Sequence, residues 1–202
     1  MNPNSRWHHF KRKLASVSRW LHIYLSMFSF AVLLFFAATG LTLNHAEFFS
    51  AAPRTTKSQG KLDTNLAGLS EDAAKSAIVA SLRKSPGIKS ALSEFRTDET
   101  QAELSFKGPG YIAEATVARG TGQYNVTETR MGLIAVLNDL HKGRDSGQAW
   151  STIIDVSAIV MSLVSATGLV LVFFLHKRRV SGLLVIAVGA VICYVVYVLY
   201  VP

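Results

Sequence analysis

Histidines are the residues of this 202-residue chain best suited to bind a metal. Neutral imidazole is the commonest metal ligand in proteins, and it is an axial ligand of haem iron. Four of the six histidines lie at the ends of the first two apolar segments: His22, His45, His141 and His176. If these segments pack antiparallel, His22 faces His176 and His45 faces His141, and each pair is placed to hold a haem b between two helices. The alternative is that these imidazoles anchor helix ends at a membrane surface.

The number of haems, one or two, stays open because of distance. His22 and His45 are separated by about 35 Å along a straight helix. Fast electron transfer over that length needs favourable tilt of both groups, or one haem and another carrier.

A four-residue sequence, Ala-Thr-Gly-Leu, occurs in both of these apolar segments, at 38–41 and at 166–169. Each copy lies downstream of a Leu-His dipeptide, which ends at His22 in one case and at His141 in the other. Because the two helices run in opposite directions, the pattern resembles an inverted repeat with one site towards each membrane surface. Glycine allows close approach of a helix or a flat ring, and threonine can bond to its own helix. Ordinary packing explains the same small residues equally well: Thr39, Gly40, Thr167 and Gly168.

Asp155 is the one acidic residue inside the apolar segments. An ionisable group within a membrane span indicates a functional role by default. We expect its carboxylate to orient His45 or His141, or to pair with Arg144. The alternative is a carboxylate solvated among lipid headgroups.

Three apolar blocks must position these side chains: 20–43, 151–175 and 181–201. Each has the roughly 20 residues that a helix needs to cross about 30 Å of hydrocarbon. A cleaved signal peptide fits the first block poorly, because the block is too long and no small-residue cleavage site follows it. The predicted fold class is therefore a membrane α-helical protein with three transmembrane helices, the third of them following a short loop at 176–180.

Basic residues flank these blocks at 1–19 and at 176–180, and such residues are retained in the cytoplasm. This predicts a multi-pass protein of the bacterial inner membrane with a cytoplasmic N-terminus and a periplasmic region at 44–150. The net charge of +8 comes largely from these anchors, so it does not indicate a nucleic-acid partner. Membrane lipid is the partner that the composition implies. The single cysteine, Cys193, excludes an intrachain disulfide or a cysteine-bound cluster.

The region between the first two spans is predicted to fold as a small α+β domain. It lacks histidine over most of its length, so we expect no Ser–His nucleophile pair and no catalytic residues there. Its predicted elements are a tether (46–66), a helix (73–82), three antiparallel strands (around 102–106, 111–117 and 123–129) and an amphipathic helix (131–141).

Four segments resemble the PepSY-associated transmembrane family: RWLH at 19–22, ATGLTLNH at 38–45, LHKGRDSGQAW at 140–150 and ID at 154–155. The resemblance covers the first two spans and their flanks, and the central domain is similar to a PepSY domain in layout. It implies membrane electron transfer, since relatives include haem-containing inner-membrane reductases that act on ferric siderophores in iron assimilation. Others are apparently partnered with periplasmic flavoproteins. Larger members have more spans, so this shorter chain either works alone, forms a homodimer or uses a separate partner.

The prediction is thus a b-type haem protein that passes electrons across the membrane to a ferric chelate, a siderophore or a flavoprotein. Whether it is itself an enzyme, such as a ferric reductase, or a component of one stays open. The alternatives are a membrane-anchored PepSY module that regulates a peptide, protease or sensor partner, and a structural subunit of a larger complex. No GxGxxG fingerprint lies in the cytoplasmic segments, so quinol or a separate reductase is the expected electron donor.

Overall fold

The computed structural model describes residues 3–49, 51–62, 70–84 and 87–202. The chain divides into two compact units, which we call the helical unit (Met1–Leu34 with Asp155–Pro202) and the sheet unit (Phe35–Ile154). The elements in chain order are α1 (Pro3–Asn44), α2 (Ala46–Phe49), β1 (Arg54–Lys61), α3 (Glu71–Lys84), β2 (Ala91–Thr97), β3 (Gln101–Gly108), β4 (Tyr111–Ala118), β5 (Gln123–Arg130), α4 (Leu133–Lys142), α5 (Gly147–Phe174) and α6 (Arg179–Tyr200).

Three helices within the described residues are long and apolar enough to cross a membrane: Arg6–Asn44, Gln148–Phe174 and Arg179–Tyr200. They confirm the three predicted apolar helices. α6 has no fully buried residue although it is apolar on every side, which is the pattern expected of a helix that faces lipid. The chain is therefore a multi-pass membrane protein. α1 begins at Pro3, well before the predicted block at 20–43, so the basic N-terminal segment continues the same helix.

The sheet unit is built on five antiparallel strands in the order β1-β5-β4-β3-β2. β2 to β5 form a meander, and β1 pairs with β5 over its whole length, from Arg54 opposite Arg130 to Lys61 opposite Gln123. Alternate residues of β3, β4 and β5 point to one face, which α3 covers. The largest fully buried side chains of this core are Phe106, Ile78, Leu82, Val117 and Val126.

The three predicted strands are confirmed as β3, β4 and β5, and the prediction missed the two further strands β1 and β2. The predicted tether at 46–66 was wrong over its described part. That part contains α2 and β1; its residues 50 and 63–66 lie outside the described residues. β1 is a polar edge strand without an apolar alternation, so its pairing with β5 left no signal in the sequence. β2 contains a bulge between Leu92 and Glu94, which interrupts its period of two.

α4 is attached to the sheet at the turn between β3 and β4. The Asp139 carboxylate accepts the backbone N–H of Gly110 at 2.9 Å. Gly110 has φ +63, and an added Cβ there would collide with Val136 of α4. A glycine is therefore needed at this turn for two reasons, the left-handed backbone and the close approach of α4.

Candidate functional site

The first of the two histidine sites lies in the helical unit, where His22 of α1 packs against α5. Its Nδ1 lies 3.0 Å from the backbone oxygen of Val164 and 3.2 Å from Oγ1 of Thr167. Gly168 leaves room for the ring, since a Cβ at that position would be 3.0 Å from Cε1 of His22. The half-buried imidazole thus lies on the Thr-Gly segment of the second Ala-Thr-Gly-Leu sequence.

The acceptors around His22 determine which ring nitrogen carries the proton when the imidazole is neutral. A backbone carbonyl can only accept, so Nδ1 must carry the proton that goes to Val164. The Thr167 hydroxyl donates to the carbonyls of its own helix, at 2.8 Å to Leu163 and 2.9 Å to Val164, and its lone pairs face Nδ1. Nε2 of His22 therefore carries the lone pair, and no hydrogen-bond partner for it lies within the described residues.

The second histidine site lies in the sheet unit and also consists of a histidine, a threonine and a glycine. Nδ1 of His141, on α4, lies 2.6 Å from Oγ1 of Thr39, whose side chain is buried. A Cβ on Gly40 would be 3.6 Å from Cε1 of His141, which is ordinary contact distance. The ring also meets Phe36 edge to face, with 5.0 Å between ring centroids. His141 thus lies on the Thr-Gly segment of the first Ala-Thr-Gly-Leu sequence.

The hydrogen bonds at this second site give the same tautomer. Oγ1 of Thr39 lies 2.6 Å from the backbone oxygen of Phe35, which takes the hydroxyl proton. Nδ1 of His141 then donates to the Thr39 oxygen, and its Nε2 holds the lone pair. In both sites an oxygen holds Nδ1 of the imidazole, so the lone pair of the neutral ring lies on Nε2.

Two further contacts hold the second site in place, and the sequence analysis missed both. Asn138 Oδ1 accepts a hydrogen bond of 2.7 Å from the Thr42 hydroxyl, so α4 is tied to α1 beside His141. The Trp150 indole N–H donates to the Leu140 backbone oxygen at 2.8 Å, which ties α5 to α4. An asparagine two residues before the Leu-His dipeptide of this amphipathic helix was the available signal for the first contact.

His45 lies in the sheet unit directly after the end of α1, and its contacts are to its own segment. Its Nδ1 is 3.7 Å from the Glu47 carboxylate, and its ring centroid is 5.9 Å from that of Phe48. The polar contact of His141 is to Thr39 instead. The structure thus brings each of these two histidines to a different neighbour, and their pairing through an iron stays a prediction.

His176 lies in the helical unit, exposed, just after the end of α5 at Phe174. His22 bonds to Val164, which precedes Phe174 by about 15 Å along α5. The two imidazoles are therefore at different positions along the axis of α5, and their pairing through an iron also stays a prediction.

Asp155 is exposed on α5 in the helical unit, and Arg144 is exposed in the sheet unit. The backbone N–H of Arg144 bonds to the Asp139 carbonyl at the end of α4, where Gly143 takes the left-handed conformation with φ 68. The predicted role of Asp155 beside a histidine stays a prediction.

Two titratable groups of the sheet have shifted pKa values. Burial raises the pKa of Tyr111 to about 12, and its hydroxyl also donates to the Glu128 carboxylate at 3.0 Å. The pKa of Asp98 is lowered, first by the N–H of Gln101 and then by the hydroxyl and N–H of Thr100. The Tyr111 shift follows first from burial and the Asp98 shift from hydrogen bonds within its own turn, so neither indicates an acid–base catalyst.

Haem is the cofactor that the resemblance implies, and the side chains of the two histidine sites can be compared with the ligands that a haem iron requires. Across the described ranges, no group of three or more His, Cys, Asp or Glu side chains is placed to hold a metal ion. Haem iron needs only one or two axial ligands from the protein. A ligating histidine also donates its other ring N–H to an oxygen, as Nδ1 does in both sites. The residues fit the group in this respect: Nε2 of His22 or of His141 would hold the haem iron.

A family model described as PepSY_TM-like matches residues 16–202, which is most of the chain. The match includes both histidine sites and the sheet. No curated protein and no solved structure gives a significant match.

Proposed function

Because the chain belongs to the PepSY_TM-like family, we propose that it is a b-type haem protein that carries electrons across the bacterial inner membrane. Its acceptor in this proposal is a ferric chelate or siderophore, or a flavoprotein, on the periplasmic side. The chain then acts as the membrane component of an iron-assimilation reductase, and quinol or a separate reductase supplies the electrons.

One observation carries the proposal, namely the shared hydrogen-bonding state of His22 and His141. In each site Nδ1 donates to an oxygen, and Nε2 keeps its lone pair towards no described partner. An anchor at a helix end has no need of this arrangement twice, but an axial ligand does, because the anchored N–H fixes ring orientation and raises ligand basicity. The glycine beside each ring leaves a small surface against which a flat macrocycle can pack.

Each site supplies one imidazole, so a bis-imidazole iron needs a second one. His45 and His176 are the second ligands proposed from the sequence, and a second copy of this chain is the other source. A haem with both axial positions occupied by nitrogen has no open site, so it supplies electron transfer and does not bind substrate at the iron.

The proposed orientation places the N-terminus in the cytoplasm and the sheet unit in the periplasm. A reporter that is active only outside the cytoplasm should work when fused after Gly108 and fail when fused after Arg179. The reverse result would contradict the proposed orientation.

The haem proposal is tested by the reduced-minus-oxidised visible spectrum and the haem content of protein purified from haem-supplemented cells. The wild-type chain should show b-type bands. His22→Ala and His141→Ala should each lower haem content, and the double variant should have none. His9→Ala is the matched control, because His9 is an exposed histidine of the same α1 without a role in either site. A wild-type protein without haem, or a double variant with normal haem content, would overturn the proposal.

A second candidate function, regulation of a periplasmic partner, is favoured by the contacts of α4. This helix holds the sheet through Asp139 and the end of α1 through Asn138, so a displacement of the sheet turn at Gly110 would reach α1. This function would be favoured over electron transfer if the wild-type protein contains no haem and if Asp139→Ala changes the environment of α1. An α1 that is unaffected by Asp139→Ala would argue against it.

A further inference from the structure

The sheet unit exposes a group of large apolar side chains on two segments that are distant in the sequence. Phe48 is 78% exposed and Leu133 is 71% exposed, with Phe49 at 42% and Met131 at 39%. Phe49 and Met131 line one cavity of about 310 Å³. Phe48 precedes Phe49 in α2, and α4 begins at Leu133, two residues after Met131, so this cavity joins the two segments. We call the exposed apolar side chains of these adjoining segments the Phe48–Leu133 surface.

The Phe48–Leu133 surface differs from the uncovered face of the sheet. That face has polar and charged side chains, among them Glu103, Lys107 and Glu114, around a shallow depression of about 500 Å³. Such a face is stable in water. Exposed phenylalanine, leucine and methionine side chains on adjoining segments are not, and they mark a contact with something apolar.

The position of this surface in the chain identifies the apolar contact. Phe48 comes four residues after Asn44, where α1 ends, so the chain allows at most about 14 Å between them. α4 begins at Leu133 and leads through Gly143 into α5, which begins at Gly147. Both segments of the surface are thus joined by short stretches of chain to the ends of helices that are apolar enough to span a membrane.

We propose that the Phe48–Leu133 surface binds the lipid bilayer and lies at the boundary between headgroups and acyl chains. Aromatic side chains are enriched at this depth, and an interfacial apolar face is buried by about 5–10 Å. Two exposed cations, Lys142 at the end of α4 and Arg144 just after it, suit the anionic headgroups of such a surface. The cavity beside Phe49 has the apolar lining that an acyl chain needs. This inference requires no haem and is independent of the proposed electron transfer.

Nitroxide scanning of the full chain in vesicles tests the proposal. Cys193→Ser removes the native thiol, and single labels are then attached to Phe48→Cys, Leu133→Cys and, as a control, Thr121→Cys. Thr121 is exposed in the turn before β5, and β5 separates this turn from Met131 by about 23 Å. The vesicles contain phosphatidylcholine with a minor fraction of phosphatidylglycerol.

Oxygen concentrates in hydrocarbon, whereas a nickel chelate stays in water, so the ratio of their collision rates with the label reports depth. We expect this ratio to be several-fold higher at positions 48 and 133 than at position 121. Equal ratios at the three positions would overturn the proposal. Low collision rates with both reagents at 48 and 133, with dipolar broadening between labels, would also overturn it, because a second copy of the chain would then cover the surface.

Discussion

Replacing Thr39 with valine should disturb His141 without changing the shape of the helix surface. Valine keeps the branched side chain of threonine but cannot accept the Nδ1–H of His141, which now bonds to Thr39 at 2.6 Å. The second bond of the hydroxyl, to the Phe35 backbone oxygen, matters less because that carbonyl also takes part in the helix. The loss is therefore mainly that of one interhelical hydrogen bond.

The magnitude follows from the cost of leaving a half-buried donor without a partner. That cost is about 1–3 kcal/mol in protein interiors, and interhelical hydrogen bonds within membranes are worth on average about 0.6 kcal/mol and at most about 1.7 kcal/mol. We expect Thr39→Val to lower the free energy of unfolding by about 1–2 kcal/mol. Thr152→Val is the matched control, because the exposed Thr152 hydroxyl bonds only to its own helix, at Gln148.

Two measurements check this prediction. Stability is compared in one detergent by thermal or denaturant unfolding, with Thr39→Ser as the variant that should restore the wild-type value. The ¹⁵N resonances of labelled histidine report the tautomer, and the Nδ1–H form of His141 should decline in Thr39→Val alone. The reasoning about the second site is refuted if Thr39→Val matches Thr152→Val in both stability and histidine spectrum.

Three further predictions concern packing and charge. Gly168→Ala should weaken the fold, whereas Gly40→Ala should be neutral or stabilising, as measured by unfolding in detergent. The reason is that the added Cβ would lie 3.0 Å from the adjacent histidine at position 168 but 3.6 Å from it at position 40. Equal effects of the two replacements would contradict this. Phe106→Ala should lower the free energy of unfolding of the sheet by about 3–5 kcal/mol, since Phe106 is fully buried, and a loss below about 1 kcal/mol would argue against the described core. Asp98→Asn should lower the midpoint of unfolding at pH 7, and the difference between variant and wild type should shrink as the pH falls below 3.8. The pKa of Asp98 is lower in the folded state than in the unfolded state, so its carboxylate stabilises the fold above the unfolded pKa and loses this effect at lower pH. A difference that is independent of pH would assign the effect to something other than the carboxylate charge.

The sequence repeat predicted the parts of the two histidine sites but not how they combine. Thr39, Gly40, Thr167 and Gly168 were named as packing residues, and the structure places one Thr-Gly pair at each Leu-His histidine. The expected histidine pairs rested on how far each residue lies from the ends of the apolar blocks, measured along the helix. This distance does not say which side of a helix a ring lies on, so the hydrogen-bond acceptors of each ring could not be predicted.

The strands were predicted where burial imposed a pattern and missed where it did not. β3, β4 and β5 alternate because one face of each packs in the core. β1 is exposed along most of its length, and its place in the sheet depends on backbone bonds to β5, which any polar sequence of sufficient β propensity can make. Edge strands of this kind leave little trace in hydrophobic periodicity.

The two sites differ in what holds the histidine, and this difference bears on both proposed functions. His22 belongs to a long membrane helix, and its ring is fixed by packing and hydrogen bonds to α5 within the helical unit. His141 belongs to α4, whose Asp139 also holds the turn of the sheet at Gly110. A ligand or partner that moved this turn would move α4 and with it the Nδ1–H of His141. If His141 binds haem, its iron is then the one whose potential responds to the sheet; if it does not, the same helix carries the movement to Thr39 of α1.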